Sequence, residues 1–270
     1  MTEAEYNKHD GVRRSDLWKI RESPEKYLWA VEHPEPPTPA MEFGAMVHKR
    51  LLEPQTFADE YAIAPNVDRR TKAGKEAWNA FAIENFDKLI VSADDFDQAD
   101  DMVNAVMSHT IAQQLLGGKH EVPLFWTDED TGELCKCRLD ILTELGGQPV
   151  VVDYKTAVNA ETNRFNSKLF DLGYHVQAYM YTEAVMKNMD LTERPRFLFI
   201  VQEKKPPYAV NVIEATDDVM TVGMDTFREL IGTLHQCKET GYFYGFNGAF
   251  DDINEAFIPG YMMMGEEDDT

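Results

Sequence analysis

A chain of 270 residues with 43% hydrophobic and 11% aromatic residues has the composition of a folded globular protein, which argues against general disorder. Its formal net charge of −22 excludes binding of nucleic acid through a uniformly basic surface, because the molecule as a whole would repel duplex DNA. Any contact with nucleic acid must therefore be local.

No apolar run approaches the roughly 18 residues that a membrane helix needs, and the first residues lack an apolar signal region. We therefore expect a cytoplasmic protein. The three cysteines, Cys135, Cys137 and Cys237, have neither zinc-site nor disulfide spacing, and we interpret them as reduced structural thiols.

The N-terminal part is predicted to be helical. A first helix over residues 15–31, capped by Ser15 and broken near Ser23-Pro24, precedes a proline-rich linker at 33–39. A second helix over 40–53 places Gly44 and His48 on one face. Because a single histidine on a half-apolar helix is usually a packed core residue, His48 alone is only a candidate ligand.

A basic stretch follows, from Asp68 to Lys75, and leads into a helix that carries Trp78. Four cations fall within seven positions: Arg69, Arg70, Lys72 and Lys75. Such a run is typical either of a solvated surface or of a loop that contacts phosphates, and both interpretations stay open. A third helix is predicted over 94–116, ended by Gly117-Gly118.

From residue 120 the pattern changes to the period of two that is typical of strands. Residues 120–126 and 134–142 are predicted to form a hairpin, and 150–154 a third strand. Asp140 lies between apolar neighbours, where a carboxylate is costly unless its charge is offset. Because Asp140 and Asp153 fall in successive strands, their carboxylates can meet.

Asp153 and Lys155 are two positions apart at the end of the third strand and so share one face. Taken alone, the pair is typical of a salt bridge that caps a strand. A helix over 174–189 then places Gln177 and Tyr181 on one face, which packing against the sheet would also explain. Strands over 196–202 and 208–215 and a helix over 217–240 follow.

Several carboxylates from adjacent strands would make a hard oxygen site suited to Mg²⁺, with Mn²⁺ as a substitute. Such an ion offsets the charge on a scissile phosphate and acidifies an attacking water. Lys155 would orient that water or stabilise the phosphate. The chemistry indicated is phosphodiester hydrolysis. The polar residues that carry it are, in chain order, His48, Glu121, Asp140, Asp153, Lys155, Gln177 and Tyr181.

This order of residues resembles the PD-(D/E)xK nuclease superfamily in its RecB-like branch. Within that branch the chain is most similar, over nearly its whole length, to the RecE-like (exonuclease VIII) nuclease domain of phages and prophages. Three segments carry this closer similarity: Gly44-x-x-x-His48-x-x-Leu51-Leu52-Glu53-Pro54, the basic stretch, and Asp153-Tyr154-Lys155-Thr156.

The resemblance implies a mixed α/β fold, with a restriction-endonuclease-like core in which helices flank a central mixed sheet, and a helical N-terminal part. We expect one nuclease domain over 1–270. Its predicted parts are a mainly helical part over 1–118, a sheet core with the active site over 119–215, and a C-terminal helix with an acidic tail over 216–270.

The resemblance also assigns roles to residues. Asp140 and Asp153 would be the principal metal ligands, completed by His48 and the backbone carbonyl of Tyr154. Glu121 would serve a second metal or its waters, and Lys155 would be the catalytic lysine. The residues expected to contact DNA are Arg69, Arg70, Lys72, Lys75, Gln177 and Tyr181.

The chain departs from the superfamily in two respects. Leu139 stands where the eponymous motif has a proline, before Asp140. The cysteines that hold an iron–sulfur cluster in some relatives are not found with their spacing, so no such cluster is expected.

The activity that the resemblance implies is Mg²⁺-dependent 5′-to-3′ exonucleolytic hydrolysis of linear double-stranded DNA. It would leave 3′ overhangs for a RecT-like single-strand annealing protein. A ring-shaped homo-oligomer, with a tetramer favoured, would reconcile an acidic exterior with a basic channel. Two alternatives stay open: an endonuclease on the same fold, and a non-catalytic protein that binds DNA ends or recruits a partner.

Overall fold

The computed structural model describes residues 1, 3–250 and 253–258; the predicted acidic stretch at 265–270 lies outside the described residues. The N-terminal part is mainly helical. Its elements are α1 (Glu3–Lys8), α2 (Arg14–Glu22), α3 (Pro24–Glu32), α4 (Pro39–Leu52), α5 (Phe57–Glu60), β1 (Tyr61–Ile63), α6 (Lys72–Glu84), β2 (Leu89–Val91), α7 (Ala93–Ser108) and α8 (Thr110–Leu115).

The remaining elements build the main sheet and the helices on one of its faces. They are β3 (Lys119–Thr127), β4 (Leu134–Leu145), β5 (Gln148–Ala157), α9 (Thr162–Asp171), α10 (Tyr174–Met189), β6 (Arg196–Glu203), β7 (Val210–Glu214) and α11 (Asp217–Thr240). The five strands from β3 to β7 lie side by side in chain order. Only the β5–β6 pair is parallel, because α9 and α10 carry the chain back across the sheet between these strands.

Hydroxyl side chains explain where several helices begin. The Thr38 hydroxyl accepts a hydrogen bond from the Met41 amide, and Pro39 follows at the first helical position of α4. The Thr71 hydroxyl accepts from the Gly74 amide in the same way at α6. These caps satisfy amides that the first turn of a helix leaves without a partner.

The helices form a layer on each face of the sheet. Buried side chains of α2, α9, α10 and α11 pack with Cys137, Leu139 and Val151 into one core. Those of α4, α7 and α8 pack with Ile141 and Val152 into a second core on the opposite face. The predicted mixed sheet flanked by helices, with a helical N-terminal part, is therefore confirmed.

Two local predictions were wrong. Residues 94–116 form two helices, because the His109 ring Nδ1 accepts a hydrogen bond from the Ala112 amide at 3.2 Å and starts α8. Ser15 lies inside α2, whose N-cap is Arg13, and the Arg13 amide donates to the Asp16 carboxylate at 3.0 Å. In both cases the helix begins at a residue type that is uncommon as an N-cap, His109 for α8 and Arg13 for α2.

The sequence patterns also missed α9, which begins where the Glu161 carboxylate accepts hydrogen bonds from the Asn163 and Arg164 amides. They likewise missed the small parallel pair of β1 and β2. All three cysteines are buried and free, as expected. Among the helices of the described residues, none combines the length and apolar character needed to cross a membrane.

Candidate active site

Three carboxylates lie in one row across adjacent strands. The β3–β4 register pairs His120 with Ile141 and Val122 with Leu139, and the β4–β5 ladder begins at Ile141 and Val152. Continuing these registers by one residue places Asp140 between Glu121 on β3 and Asp153 on β5. Like charges in such cross-strand positions repel one another, so the row requires compensation.

The strands are distorted at this row. Leu139 packs in the core on the α10 side and Ile141 in the core on the α4 side, although residues two apart in a regular strand share a face. The alternation therefore reverses at Asp140. On the adjacent strand Glu121 has a φ of 52°, a left-handed conformation that is uncommon for a residue with a side chain. The distortion keeps both carboxylates out of the apolar cores.

His48 of α4 joins two of the carboxylates. Its Nε2 lies 3.0 Å from Asp140 Oδ2, and its Nδ1 lies 3.3 Å from Glu121 Oε1. One ligand atom from each of these three side chains lies within 4.8 Å of the others. A Cβ at Gly44 would lie 3.5 Å from the Thr156 hydroxyl, which is an ordinary contact, so packing does not require glycine there.

Asp153 is almost fully buried, at 1% exposure, and is held from two directions. Lys155 Nζ lies 2.6 Å from its Oδ2, and Gln177 Nε2 donates to its Oδ1 at 2.5 Å. Its Oδ2 accepts no well-directed hydrogen bond from the described residues, and neither does the buried Gln177 Oε1 receive one. Asp153 Oδ2 therefore has the Lys155 ammonium as its partner, whereas Gln177 Oε1 is buried without a donor from the described residues.

Asp140 and Tyr154 connect the strands where the ladder ends. The Tyr154 amide donates to Asp140 Oδ2 at 2.8 Å in place of a strand carbonyl. The Tyr154 phenol donates to Gln202 Oε1 at 2.6 Å, which anchors this part of β5 to β6. The carbonyl of Tyr154 as a metal ligand stays a prediction.

Burial and the neighbouring charges shift the pKa values of three site residues. Burial raises the pKa of Glu121 to about 7, although His48 and Arg138 act in the opposite direction. Burial and the Asp140 charge raise the pKa of Asp153 to about 6, against the effect of Lys155. Burial alone would lower the pKa of His48, but its contacts with Asp140 and Glu121 raise it to about 9.

A divalent cation fits this donor set. Imidazole nitrogen and carboxylate oxygens are ligands for first-row divalent ions, and carboxylate-rich sites suit Mg²⁺ and Mn²⁺. The close ligand atoms of His48, Glu121 and Asp140, together with the Asp153 carboxylate on the next strand, provide such donors. Burial raises the pKa of Glu121 and of Asp153, and the Asp140 charge adds to this effect in both.

Arg138 is a site residue that the sequence patterns missed. Its Nε lies 2.6 Å from Glu121 Oε2, and its Nη2 lies 3.6 Å from Glu53 Oε2. The sequence did contain a signal for Arg138, since it is a charged residue within a predicted strand, two positions before Asp140. It holds the Glu121 carboxylate beside His48.

A cleft of about 330 Å³ opens at the cluster. It is lined by both signs of charge, with His48, Glu121, Arg138 and Tyr181 nearest the predicted chemistry. Its further lining includes Arg13, Arg14, Lys49 and Lys136 together with Glu53 and Glu60. Of the predicted DNA contacts on α10, Tyr181 therefore borders the cleft, and Gln177 contacts Asp153 directly.

The predicted basic stretch lies elsewhere, between β1 and β2. The Arg69 guanidinium stacks over the Trp78 ring at 4.1 Å, and Arg70 Nε lies 3.0 Å from Asp68 Oδ1. Lys72 Nζ lies 3.9 Å from Glu76 Oε1. Within the described part of the chain, the cleft lining includes none of the four predicted cations Arg69, Arg70, Lys72 and Lys75.

Comparison with known proteins supports the fold. The profile of a family described as PDDEXK-like domain of unknown function (DUF3799) matches residues 14–245. The crystal structure of a protein from Eubacterium rectale described as a "putative exonuclease" is similar over 98% of each chain, with a TM-score of 0.61 and 12% identity. At that identity the likeness concerns the fold alone.

A second solved structure, described as SSO0001, covers 70% of this chain and 86% of its own at 11% identity. Its TM-score is 0.31, which is too low to indicate a shared fold. No curated protein matches the sequence.

Proposed function

The chain belongs to the family of PDDEXK-like domains, and from this premise we propose that it is a divalent-metal-dependent deoxyribonuclease. The observation that carries the proposal is the row of Glu121, Asp140 and Asp153, with Lys155 2.6 Å from Asp153. Three aligned carboxylates are unfavourable for stability, whereas they suit an ion that must also contact a phosphate.

The residues that would hold the ion are His48, Glu121, Asp140 and Asp153. When bound, a divalent cation supplies a Lewis acid that offsets the charge developing on the phosphate. His48 contacts the Asp140 and Glu121 carboxylates with its two ring nitrogens, and to act as a ligand one of these nitrogens would lose its proton and exchange its carboxylate for the ion. Gln177 fixes Asp153 by a hydrogen bond to Oδ1, which leaves Oδ2 toward Lys155.

Lys155 supplies a permanent positive charge next to these ligands. Burial would lower the pKa of its ammonium, but the charges of Asp153 and Asp140 raise it, so the amine stays protonated at neutral pH. A protonated amine in this position can donate to a non-bridging phosphate oxygen or orient a water. We assign Lys155 this catalytic role.

We propose further that the substrate is linear double-stranded DNA and that hydrolysis proceeds from the 5′ end, leaving 3′ overhangs. The order of site residues, which resembles RecE-like nucleases, supports this polarity. The net charge of −22 also supports action at DNA ends, because an acidic protein has little affinity for duplex DNA along its length.

The experiment compares linear duplexes labelled at the 5′ or the 3′ end with covalently closed circular DNA, with Mg²⁺ and with a chelator. We expect early release of 5′-labelled mononucleotide, late release of the 3′ label, and intact circles. Cleavage of closed circles would instead identify an endonuclease. Metal binding without hydrolysis of any of these DNAs would favour the non-catalytic alternative.

We propose also that the protein acts as a ring-shaped homo-oligomer, a tetramer in the favoured case, and supplies its overhangs to a RecT-like annealing protein. Exposed apolar side chains around the isolated β1–β2 pair support self-association, because a second copy would bury them. Those side chains are Ile83, Phe86 and Leu89, exposed by 74%, 85% and 60%. Light scattering should give a multiple of the 30.9 kDa chain mass, and Phe86→Asp should reduce it.

A further inference from the structure

A second cavity adjoins the candidate site at Lys155, which lines this cavity but not the cleft. It has a volume of about 420 Å³ and lies between the end of β5 and α9. We call it the α9 pocket. Its lining comprises Lys155, Thr156, Ala157, Val158, Asn159, Arg164, Phe165, Ser167, Lys168, Leu172 and Tyr174.

The α9 pocket is lined by cations in an acidic molecule, and two of these cations are paired with carboxylates outside the lining, Lys155 with Asp153 and Lys168 with Asp171. Three cations line it, Lys155, Arg164 and Lys168, and among the described residues no carboxylate does. The whole chain holds 48 acidic and 26 basic residues, so a cavity without acids is unexpected by composition. The active-site cleft, in contrast, includes Glu53, Glu60 and Glu121 in its lining. The α9 pocket is therefore suited to an anionic ligand.

Arg164 is available for such a ligand. Its backbone amide caps the start of α9, but within the described chain its guanidinium has neither an ion-pair nor a hydrogen-bond partner. Lys168, one turn further along α9, is paired with Asp171 at 3.2 Å. A free guanidinium recognises phosphate with several parallel donors.

The rest of the lining is apolar or aromatic. Phe165 and Tyr174 stack with ring centroids 5.9 Å apart, and Leu172 is 45% exposed. Val158, which follows the last residue of β5, is 95% exposed. Apolar side chains exposed beside a charged site indicate a ligand that has an apolar part as well as an anionic one.

The position of Lys155 connects the α9 pocket to the chemistry. Its Nζ lies 2.6 Å from Asp153 Oδ2 and 4.9 Å from the centre of the Tyr174 ring. A phosphate that contacts this ammonium therefore has its own sugar and base within reach of the pocket. A nucleotide combines the required anion with a planar apolar group, and aromatic side chains bind bases by stacking.

We propose that the α9 pocket binds the base and the flanking phosphate of one nucleotide in the DNA strand that is cut. The base lies against Tyr174, Leu172 and Val158, and Arg164 contacts the phosphate. The inference rests on the proposed function, to which it adds a subsite that positions the strand through one unpaired nucleotide. A base in this pocket cannot remain paired, so the pocket would separate the strands next to the scissile bond.

The test measures DNA binding, not hydrolysis, in an Asp140→Asn background that leaves the DNA intact. A linear duplex with a short unpaired 5′ tail, in which one nucleotide in turn is made abasic, is titrated by fluorescence anisotropy, so that the missing base does not also remove a base pair. At one position the missing base should weaken binding about tenfold, the lower end of the cost of one lost stacking contact. No penalty at any position would overturn the proposal.

Val158→Glu then assigns that penalty to the α9 pocket. The added carboxylate should weaken binding of intact DNA about tenfold and make the abasic substitution nearly neutral. Val222→Glu on α11 is the matched control, since Val222 is also exposed, at 43%, and should retain the full abasic penalty. Retention of the penalty in Val158→Glu would overturn the assignment.

Arg164→Ala provides a second variant at an exposed position. It should weaken binding of intact and abasic DNA equally and reduce the slope of log affinity against log salt by about one. An unchanged salt slope would contradict the phosphate contact. A nuclease that cuts linear DNA but shows no abasic penalty disproves only the α9 pocket, whereas a protein without hydrolysis under any divalent metal disproves the proposed function.

Discussion

Both ends of the β3–β4 hairpin contain carboxylates that are buried or half-buried. The partners of these carboxylates differ between the two ends. At the turn end, Asp128 is 3% exposed, and its Oδ2 accepts from the Thr131 amide at 3.1 Å and hydroxyl at 2.8 Å. Its Oδ1 pairs with Arg228 of α11. Each oxygen of this carboxylate therefore has a donor directed at it.

At the other end of the hairpin, Glu121 and Asp140 lie beside a third carboxylate, Asp153. The pKa of Glu121 and of Asp153 is raised, chiefly by burial. Near the turn, burial also acts to raise the pKa of Glu133, but Lys238 and His235 lower it below its ordinary value. The carboxylate at the turn end is fully provided with donors, whereas those of the candidate site lie so close together that the Asp140 charge adds to burial in raising the pKa of Glu121 and Asp153, despite the nearby cations.

The largest expected effect is a difference in hydrolysis rate between variants of two lysines, each of which pairs with a carboxylate. Lys155→Ala should reduce hydrolysis of linear DNA at least about a hundredfold, because it removes a fixed charge next to the phosphate. Lys238→Ala, at the turn end, should leave the rate within about twofold. Hydrolysis rates measured with Mg²⁺ test this difference. Circular dichroism verifies that both variants are folded. Equal rates for the two variants would remove the distinction between the two ends.

The next effect concerns stability at the turn end. Arg228→Met should lower the free energy of unfolding by about 3 kcal/mol, because Asp128 stays buried and loses its cation. Urea denaturation at pH 7 measures the change. Arg196→Met is a suitable control, since its partner Glu214 is exposed and such pairs contribute less than about 1 kcal/mol. Similar values for both variants would be inconsistent with a structural role of the buried pair.

Mg²⁺ should stabilise the folded protein by binding at the site end of the hairpin and not at the turn end. With Mg²⁺ at about ten times its dissociation constant, linkage adds about 1.4 kcal/mol to the free energy of unfolding. For a chain of this size, that corresponds to a rise in Tm of roughly 3–5 °C. Asp140→Asn should abolish the rise, which a chelator should also reverse, and Arg228→Met should retain it. A rise that persists in Asp140→Asn would show that the ion binds elsewhere.

The smallest effect is a pH dependence at the turn end. Because the folded-state pKa of Glu133 is lowered, its pair with Lys238 contributes stability above the ordinary carboxyl range and loses it as the pH falls through the folded-state pKa. Lys238→Met should therefore cost up to about 1 kcal/mol at pH 7 and less at about pH 3. Urea denaturation at both pH values tests the sign. A cost that grows on acidification would contradict it.

Much of the order of elements could be predicted from local patterns. The bounds of α10 and α11, the hairpin and the strand after α10 follow from apolar periodicity and from turn residues. Patterns failed where a side chain caps a helix in an unusual way, as His109 does. They also failed for β1 and β2, whose three residues each are too short for a period to be detected.

The chemical identity of the candidate site was determined by the sequence, because residue types and their order are enough to indicate a carboxylate site with a lysine. Its arrangement was decided by the tertiary structure. The alignment of Glu121 with Asp140 depends on the β3–β4 register and on a left-handed residue within a strand, neither of which a period of two encodes.

The partners of the charges were also decided by the tertiary structure. Arg138 on β4 contacts Glu121 on the neighbouring strand β3. The predicted basic stretch lies between β1 and β2, outside the cleft lining. Periodicity reports which face of an element is apolar, because that depends on neighbours along the chain. Which charges meet depends on how distant elements pack, and only the folded chain brings His48, Asp140 and Asp153 together.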